Sequence, residues 1–92
     1  MLTIRYHSRF KKDFKKAKSR GVDIAKIRTA IELLANEQEL PKEYKAHSLK
    51  GNYKGYMECH IEPDLLLVYK IDGGEMELLL FRTGTHSDLF KK

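Results

Sequence analysis

The chain has 92 residues, which is the length of one small domain, and we expect a single domain over residues 1–92. Charged residues make up 34% and hydrophobic residues 41%, and no apolar run approaches the roughly 18 residues that a membrane span needs. Cys59 is the single cysteine, so an intramolecular disulfide is excluded, and no signal peptide is visible. A cytoplasmic protein is therefore expected, with no membrane association.

The net charge of +5 favours a polyanionic partner, and nucleic acid is the first candidate. The excess is concentrated in RFKKDFKKAKSR, residues 9–20, where Lys and Arg surround a single Asp. A solvated basic helix face would have the same composition. Charge alone leaves both interpretations open.

The first half of the chain predicts a strand followed by two helices. Residues 2–7 alternate and contain β-formers, which predicts a short strand. Ser8 can cap the cationic helix, and Gly21 is a plausible stop. Asp23 can cap a second helix with an apolar stripe, and Pro41 ends the helical region. We expect the two helices to form a hairpin with one shared apolar side.

The second half predicts three strands joined by tight turns. EYKAHSLKGNYKGY indicates a loop, and the strands are YMECHI, LLLVYKI and EMELLLFR, separated by the turns EPD and DGG. LLLVYKI is nearly continuous in apolar residues, which is typical of burial on both faces. HSDLF can form one helical turn. The fold class is therefore α+β, with an N-terminal strand and a two-helix hairpin packed on an antiparallel β-sheet.

Alternation along YMECHI assigns its side chains to two faces. Met57, Cys59 and Ile61 point to the core, while Glu58 and His60 point to the open face, where Glu58 is expected to pair with a lysine. Cys59 and His60 therefore cannot bind one ion together. Since CxxC, HxxxH and HxH spacings are also missing from the sequence, we predict neither a metal site nor another cofactor.

Polar side chains that suit RNA cleavage are scattered over the second half of the chain. They are His47, Lys50, His60, Asp64, Arg82 and His86. In a meander the adjacent strand ends meet, so these groups can converge on one patch. Histidine has an unperturbed pKa of about 6.5 and suits acid–base catalysis, and arginine matches phosphate oxygens. Scattered histidines in a basic domain are also commonly structural, so residue types alone leave the function open.

Two segments, YKAHSLKGNYKGYMECHIEPDLLLVYKI and FRTGTHSDLF, strongly resemble the YafQ branch of the RelE superfamily of bacterial toxins. The pattern is Tyr-Lys-x-His-x-Leu-x-Gly, Gly-Tyr, His-x-x-Pro-Asp, a hydrophobic strand ending in Tyr-Lys, and Arg-Thr-Gly-Thr-His-x-x-Leu-Phe. The similarity spans essentially the whole chain. The resemblance implies a RelE-like fold related to compact microbial ribonucleases and metal-independent cleavage of messenger RNA in the ribosomal A site.

The resemblance also implies roles for individual residues. The catalytic positions carried over are His47, His60, Asp64, Arg82 and His86. His86 is the expected general acid and His47 the preferred base, with Asp64 and His60 orienting or sharing that role. Arg82 would stabilise the transition state. The substrate-binding positions are Lys50, Lys54 and Phe90, of which Phe90 would position a base. Leu65 is a departure, because some relatives carry an aromatic residue directly after Pro-Asp.

The partners implied are a cognate antitoxin, the 70S ribosome with its mRNA, and operator DNA bound through the antitoxin complex. Two alternatives accompany this hypothesis. One is a non-catalytic basic module that binds RNA or protein, such as an inactive toxin relic. The other is a structural subunit of an operon-repressor complex. Cleavage that depends on His86 distinguishes the toxin from both.

Overall fold

One sheet and three helices make up residues 1–90, the part of the chain described by the structure, which is a computed structural model. The strands are β1 (Thr3–Tyr6), β2 (His47–Ser48), β3 (Met57–Glu62), β4 (Leu65–Asp72) and β5 (Glu77–Gly84). The helices are α1 (Ser8–Ser19), α2 (Ile24–Ala35) and α3 (His86–Phe90). Short 3₁₀ turns cover Lys42–Tyr44 and Gly51–Tyr53. None of the helices in these 90 residues has both the length and the apolarity to span a bilayer.

The strands are arranged in the order β1–β5–β4–β3–β2. Strands β2 to β5 pair antiparallel, which confirms the predicted meander, whereas β1 pairs parallel with β5. The sheet is therefore mixed and not purely antiparallel. A parallel pair needs a long crossover connection, and the helices and the meander supply one between β1 and β5.

The helix hairpin packs on one face of the sheet, as its apolar stripe predicts. Phe10 and Ala17 of α1 and Ile27 of α2 are buried in the same cluster as Leu67 and Leu78 of the sheet. Asp23 caps α2 by accepting a hydrogen bond from the amide of Ala25 at 3.1 Å. These contacts hold α1 beside β5.

A smaller apolar cluster lies on the opposite face. Leu66 and Val68 of β4 pack there against Leu89 of α3. Leu65, Leu67 and Tyr69 of the same strand belong to the helix-side core. The predicted burial of β4 on both faces is confirmed, and α3 covers the face that α1 and α2 leave open.

Three element boundaries differ from the prediction. His7, and not Ser8, caps α1, because its extended backbone lets Nδ1 accept from the amide of Arg9 at 3.1 Å. Helix α2 ends at Ala35, well before Pro41. The amide of Leu2 donates a hydrogen bond to the carbonyl of Ala35 at 2.7 Å. Strand β2 lies within the predicted loop. Its two residues carry little hydrophobic pattern, and pairing with β3 alone defines it.

Candidate active site

Three imidazole rings form a row at one end of the sheet. His47 lies on β2, His60 on β3, and His86 is the first residue of α3. The ring centroids of His47 and His60 are 6.1 Å apart, and those of His60 and His86 are 5.8 Å apart. The structure thus brings together the three histidines that the sequence singled out.

Glu58 lies between two of these rings. Its Oε1 is 3.4 Å from Nε2 of His47 and 3.7 Å from Nε2 of His60. The register pairs His47 with Glu58 across β2 and β3, which puts both side chains on one face. Oε2 is buried and has no hydrogen-bond partner within residues 1–90. The prediction that Glu58 pairs with a lysine is wrong, because it overlooked strand β2.

Asp64 holds His86 from the turn between β3 and β4. Its Oδ1 accepts the backbone amide of His86 at 2.9 Å and lies 2.6 Å from Nδ1 of the ring. Hydrogen bonds from the backbone and then the ring of His86 lower the pKa of Asp64. A carboxylate can only accept, so Nδ1 carries the proton and Nε2 is the nitrogen that can exchange one with a substrate.

Arg82 is anchored by a residue that the sequence analysis did not select. Its Nε donates to Oδ2 of Asp13 at 2.7 Å, and its Nη2 donates to Oδ1 at 3.1 Å. The amide of Thr83 also donates to Oδ2 at 3.2 Å. The hydrogen bonds that Arg82 donates to Asp13 raise the pKa of Arg82. The guanidinium is therefore a fixed cation.

The sheet register connects Arg82 to the histidine row. His47 pairs with Glu58, Glu58 with Val68, and Val68 with Arg82, so one cross-strand row runs over four strands. Neighbouring strands are about 4.8 Å apart, which puts the backbone of Arg82 about 10 Å from that of Glu58. Apolar side chains of β4 form the floor between them. The arrangement suits an extended polar substrate.

An open cleft of about 370 Å³ adjoins Arg82. Its lining includes Arg9, Tyr53 and Phe90, and the rings of Tyr53 and Phe90 meet edge to face with centroids 5.9 Å apart. Tyr53 is a further residue that the sequence analysis did not select. The cleft combines cations with aromatic surfaces, the pairing that single-stranded RNA requires.

Lys50 and Lys54 lie exposed in the segment between β2 and β3. They flank the 3₁₀ turn Gly51–Tyr53, which carries Tyr53 of the cleft. Both ammonium groups are therefore placed to attract a polyanion near this edge of the sheet.

Leu65 stands directly after Pro-Asp, where some relatives carry an aromatic residue, and it is buried in the helix-side core.

Asp88 anchors α3 to α1. It exchanges hydrogen bonds with Thr85 in a capping box, since its Oδ2 accepts the amide of Thr85 at 3.1 Å and its own amide donates to Thr85 Oγ1 at 3.1 Å. Arg20, the C-cap residue of α1, donates to Oδ2 at 2.9 Å. Partial burial raises the pKa of Asp88, but the hydrogen bonds from Thr85 and Arg20 outweigh it and lower the pKa to about 2. His86 and Phe90 are the first and last residues of this anchored helix, so the anchor fixes the position of both.

His47, Glu58 and His60 could also hold a metal ion. Their ligand atoms all lie within 4.8 Å of one another. Linear spacing does not reveal this set, because the register of β2 on β3 assembles it.

Cys59 points into the helix-side core, as predicted. Burial, and to a smaller extent the charge of Glu58, raises the pKa of its thiol to about 12.

The sequence held signals for some of the residues that were missed. Asp13 is the lone acidic residue in a strongly cationic helix, and such an isolated opposite charge suggests a specific partner. Glu58 shares the predicted open face of its strand with His60. Tyr53 lies in a glycine-containing loop and carried no comparable signal.

Comparison with known proteins agrees with the resemblance seen in the motifs. A family model described as "Bacterial toxin of type II toxin-antitoxin system, YafQ" matches residues 2–91. The mRNA interferase toxin YafQ of Escherichia coli K12 is 44% identical over 89 residues, which is 95% of this chain and 94% of the relative.

Two solved structures cover nearly the whole chain. A metal-bound toxin from Helicobacter pylori has a TM-score of 0.92 and 47% identity, covering 98% of this chain and 100% of its own. The E. coli DinJ–YafQ complex gives a TM-score of 0.90 and 41% identity, with 98% of this chain and 99% of that chain covered. The α+β fold is therefore that of YafQ toxins, and the chain belongs to the YafQ family of bacterial toxins of type II toxin–antitoxin systems.

Proposed function

We propose that this protein is the toxin of a type II toxin–antitoxin system and acts as an endoribonuclease on messenger RNA in the ribosomal A site. The row of three imidazoles with Arg82 across the sheet is the observation that carries the proposal. The E. coli relative, which is named an mRNA interferase, supports the choice of substrate. Such a substrate places the protein in the cytoplasm, where ribosomes translate.

The reaction proposed is a transesterification at phosphorus that releases the downstream fragment of the message. The ribose 2′-oxygen attacks the adjacent phosphorus as a base removes its proton. The bond to the leaving 5′-oxygen then breaks, and an acid supplies the proton that this oxygen needs. The products are a 2′,3′-cyclic phosphate and a 5′-hydroxyl. Proton transfers and charge stabilisation suffice for these steps, so we propose a metal-independent reaction.

His86 is assigned as the general acid. Asp64 accepts from its Nδ1 at 2.6 Å and fixes the ring orientation, and the ring is 46% exposed, so a leaving oxygen can reach Nε2. His47 is assigned as the base. The carbonyl of Lys45 accepts from its Nδ1 at 2.8 Å, so Nε2 takes the substrate proton, and the buried carboxylate of Glu58, 3.4 Å from Nε2, stabilises the imidazolium that forms. His60 lies on the same carboxylate at 3.7 Å. Proton removal and delivery are thereby separated along the row, with His60 between them.

Arg82 is assigned to the charge that develops on the phosphate. A fixed guanidinium stabilises a phosphorane more effectively than a mobile one, because it needs no reorganisation during the reaction. Phe90 is assigned to the face of a neighbouring base in the adjoining cleft. Lys50 and Lys54 are assigned to the RNA backbone.

The partner proposed is an antitoxin with an acidic segment that covers this face. The toxin of the E. coli complex, which was solved with DinJ, has the same fold over nearly its full length. A cationic surface around the histidine row attracts acidic side chains as well as phosphates. Operator DNA is proposed to bind through the antitoxin, while the toxin supplies additional positive charge.

We infer, in addition, that a transition-metal ion binds His47, Glu58 and His60 and blocks the reaction. Two imidazoles and a carboxylate are suitable ligands, and Oε2 of Glu58 is a buried acceptor with no hydrogen-bond partner within residues 1–90. The Helicobacter pylori relative was solved as a metal-bound toxin. A bound ion would occupy the ring nitrogens that the base requires, so the metal is proposed as an inhibitor.

The test of the proposed function uses purified toxin, 70S ribosomes programmed with a defined message, and mapping of the new 5′-ends. We expect cleavage at the A-site codon with ribosomes and none on the free message. His86→Ala and Arg82→Ala should each slow cleavage by about a hundredfold or more. His7→Asn is the matched control, because it removes the histidine outside the row and Asn still caps α1.

Two outcomes contradict the proposal. The first is intact message in the presence of a toxin that binds the ribosome, which favours a non-catalytic RNA-binding module. The second is cleavage by His86→Ala at the wild-type rate. Growth arrest after induction, reversed by the co-expressed antitoxin, would link the reaction to toxicity in cells.

A further inference from the structure

Asp13 is the only acidic residue of α1, and its carboxylate faces the guanidinium of Arg82. It accepts three hydrogen bonds, two from Arg82 and one from the amide of Thr83. The two arginine bonds run side by side, in the fork geometry that makes Arg–carboxylate pairs strong and directional. Helix α1 is thus tied to the strand that delivers the arginine.

The pair is shielded from water. The side chains of Arg82 and Asp13 are 18% and 12% exposed, whereas the ion pair of Arg5 with Glu77 at the start of the same strand has exposures of 64% and 29%. A shielded pair is screened less by salt, and loss of one member leaves a charge without its partner. Loss of one partner should therefore have a larger effect in the shielded Asp13–Arg82 pair than in the exposed Arg5–Glu77 pair.

The geometry of the fork leaves part of the guanidinium available. A guanidinium has five N–H donors, and Asp13 takes one on Nε and one on Nη2, so three remain. The second hydrogen of Nη2 and the neighbouring hydrogen of Nη1 lie side by side and form the edge that a phosphate can accept bidentately. A free arginine side chain would lose rotamer entropy on taking this orientation, and Asp13 has already restricted it.

We propose that Asp13 is a positioning residue that presets this edge of Arg82 for the scissile phosphate. The inference rests on the proposed endoribonuclease function. Asp13 makes no contact with the reacting atoms in this scheme and acts only through Arg82. Its removal should therefore reduce the cleavage step more than ribosome binding.

The test is a double-mutant cycle in single-turnover cleavage on programmed 70S ribosomes. We expect Asp13→Asn to lower the maximal cleavage rate by about 10- to 100-fold, with less than a threefold change in the half-saturating toxin concentration. Arg82→Ala should lower the rate further. The double variant should cleave no more slowly than Arg82→Ala alone, since Asp13 has nothing left to orient.

The matched control is Glu77→Gln, which removes a carboxylate paired to an arginine from the same strand β5. It should leave both kinetic parameters within twofold of the wild type. Asp13→Glu keeps the charge and should recover part of the loss. Cleavage by Asp13→Asn at the wild-type rate would overturn the inference. So would a double variant whose loss of rate is the product of the two single losses, because a merely structural role of Asp13 lowers the fraction of active protein independently of Arg82.

A second measurement needs neither cleavage nor a substituted protein. In ¹⁵N spectra of the wild type, the Nε–H of Arg82 should exchange with water at least tenfold more slowly than that of the exposed Arg5. Equal exchange rates would overturn the inference even if Asp13→Asn does not fold. Failure of the wild type to cleave any message would instead count against the proposed function, while slow exchange would still show the preset arginine.

Discussion

Glu58 is 5% exposed, and its Oε1 lies 3.4 Å and 3.7 Å from the Nε2 atoms of two imidazoles. Acidic side chains are seldom buried this far without a partner, because removing a carboxylate from water is costly. Only one of its oxygens approaches the rings, and the other has no hydrogen-bond partner within residues 1–90. The buried carboxylate beside His47 and His60 therefore favours positive charge between the two rings. That charge can be a proton on an imidazole or a metal ion.

A zinc titration tests the residue-scale consequence. Zn²⁺ should bind the wild type and inhibit cleavage, because it occupies the ring nitrogens, and EDTA should restore the full rate. Glu58→Gln should weaken binding at least tenfold, since an amide is a poorer ligand than a carboxylate. Isothermal titration calorimetry measures the affinity, and His7→Asn is the control. Equal affinity in the wild type and Glu58→Gln would place the metal elsewhere, and a need for Zn²⁺ in cleavage would contradict metal independence.

At the scale of elements, α3 has only five residues and depends on its anchors. Isolated helices this short are not stable, so the capping box of Thr85 with Asp88 and the bridge to Arg20 must hold it. Gly84 precedes it with a φ of 150°, and a Cβ there would lie 3.0 Å from Oδ2 of Asp88. The chain therefore turns tightly enough at Gly84 for the Asp88 carboxylate to pack against the backbone of the turn.

Asp88→Asn tests this anchor. The loss of a helix cap and its ion pair should cost about 1 kcal/mol, or about 5 °C in Tm for a domain of this size. The folded-state pKa of about 2 is below the usual 3.8, so the wild-type carboxylate contributes its full stability above pH 3.8 and loses it as the pH falls towards 2. Thermal unfolding of both proteins from pH 2 to pH 7 measures it, and the two curves should converge at the acidic end.

A constant difference between the curves across this pH range would contradict the role of the Asp88 charge. Asp72→Asn is a suitable control, because Asp72 also accepts a backbone amide, at 3.1 Å, but ends β4 at the turn to β5 and makes no contact with Thr85 or Arg20. Its effect on the Tm should be smaller.

At the scale of the whole molecule, charge and chemistry lie on different elements that the fold joins. The cationic residues concentrate on α1, whereas the three histidines of the row lie on β2, β3 and α3. Asp13 of α1 contacts Arg82, and the C-cap residue Arg20 contacts Asp88, so the basic helix borders the site directly. A polyanion bound to α1 would therefore lie beside the histidine row.

Salt dependence tests whether the lysines of α1 contact phosphates. Affinity for 70S ribosomes should fall linearly on a log–log plot against salt concentration, and each lost phosphate contact should reduce the slope by about 0.7–0.9. The exposed Lys12 and Lys15, replaced together by Gln, should therefore reduce it by about 1.4–1.8. Lys26→Gln on α2 is the control with the same type of charge change. An unchanged slope would mean that these lysines only form a solvated face.

The order of the elements other than β2, the meander, the helix hairpin and the two-sided burial of β4 were all predictable from the sequence. Each depends on local periodicity or on a turn signal, which act over a few residues. The motifs also identified the histidines, Asp64 and Arg82. The cap at His7 and the end of α2 at Ala35 were not predictable, because hydrogen bonds specific to the folded chain determine them.

Only the tertiary structure decided which groups contact one another. The positions of Glu58 between His47 and His60, and of Asp13 on Arg82, follow from sheet register and helix docking, which join residues far apart in the chain. Residue types and spacing determine what chemistry a chain can perform. Long-range packing determines the distances, and proton transfer and phosphate binding depend on those distances within a fraction of an ångström.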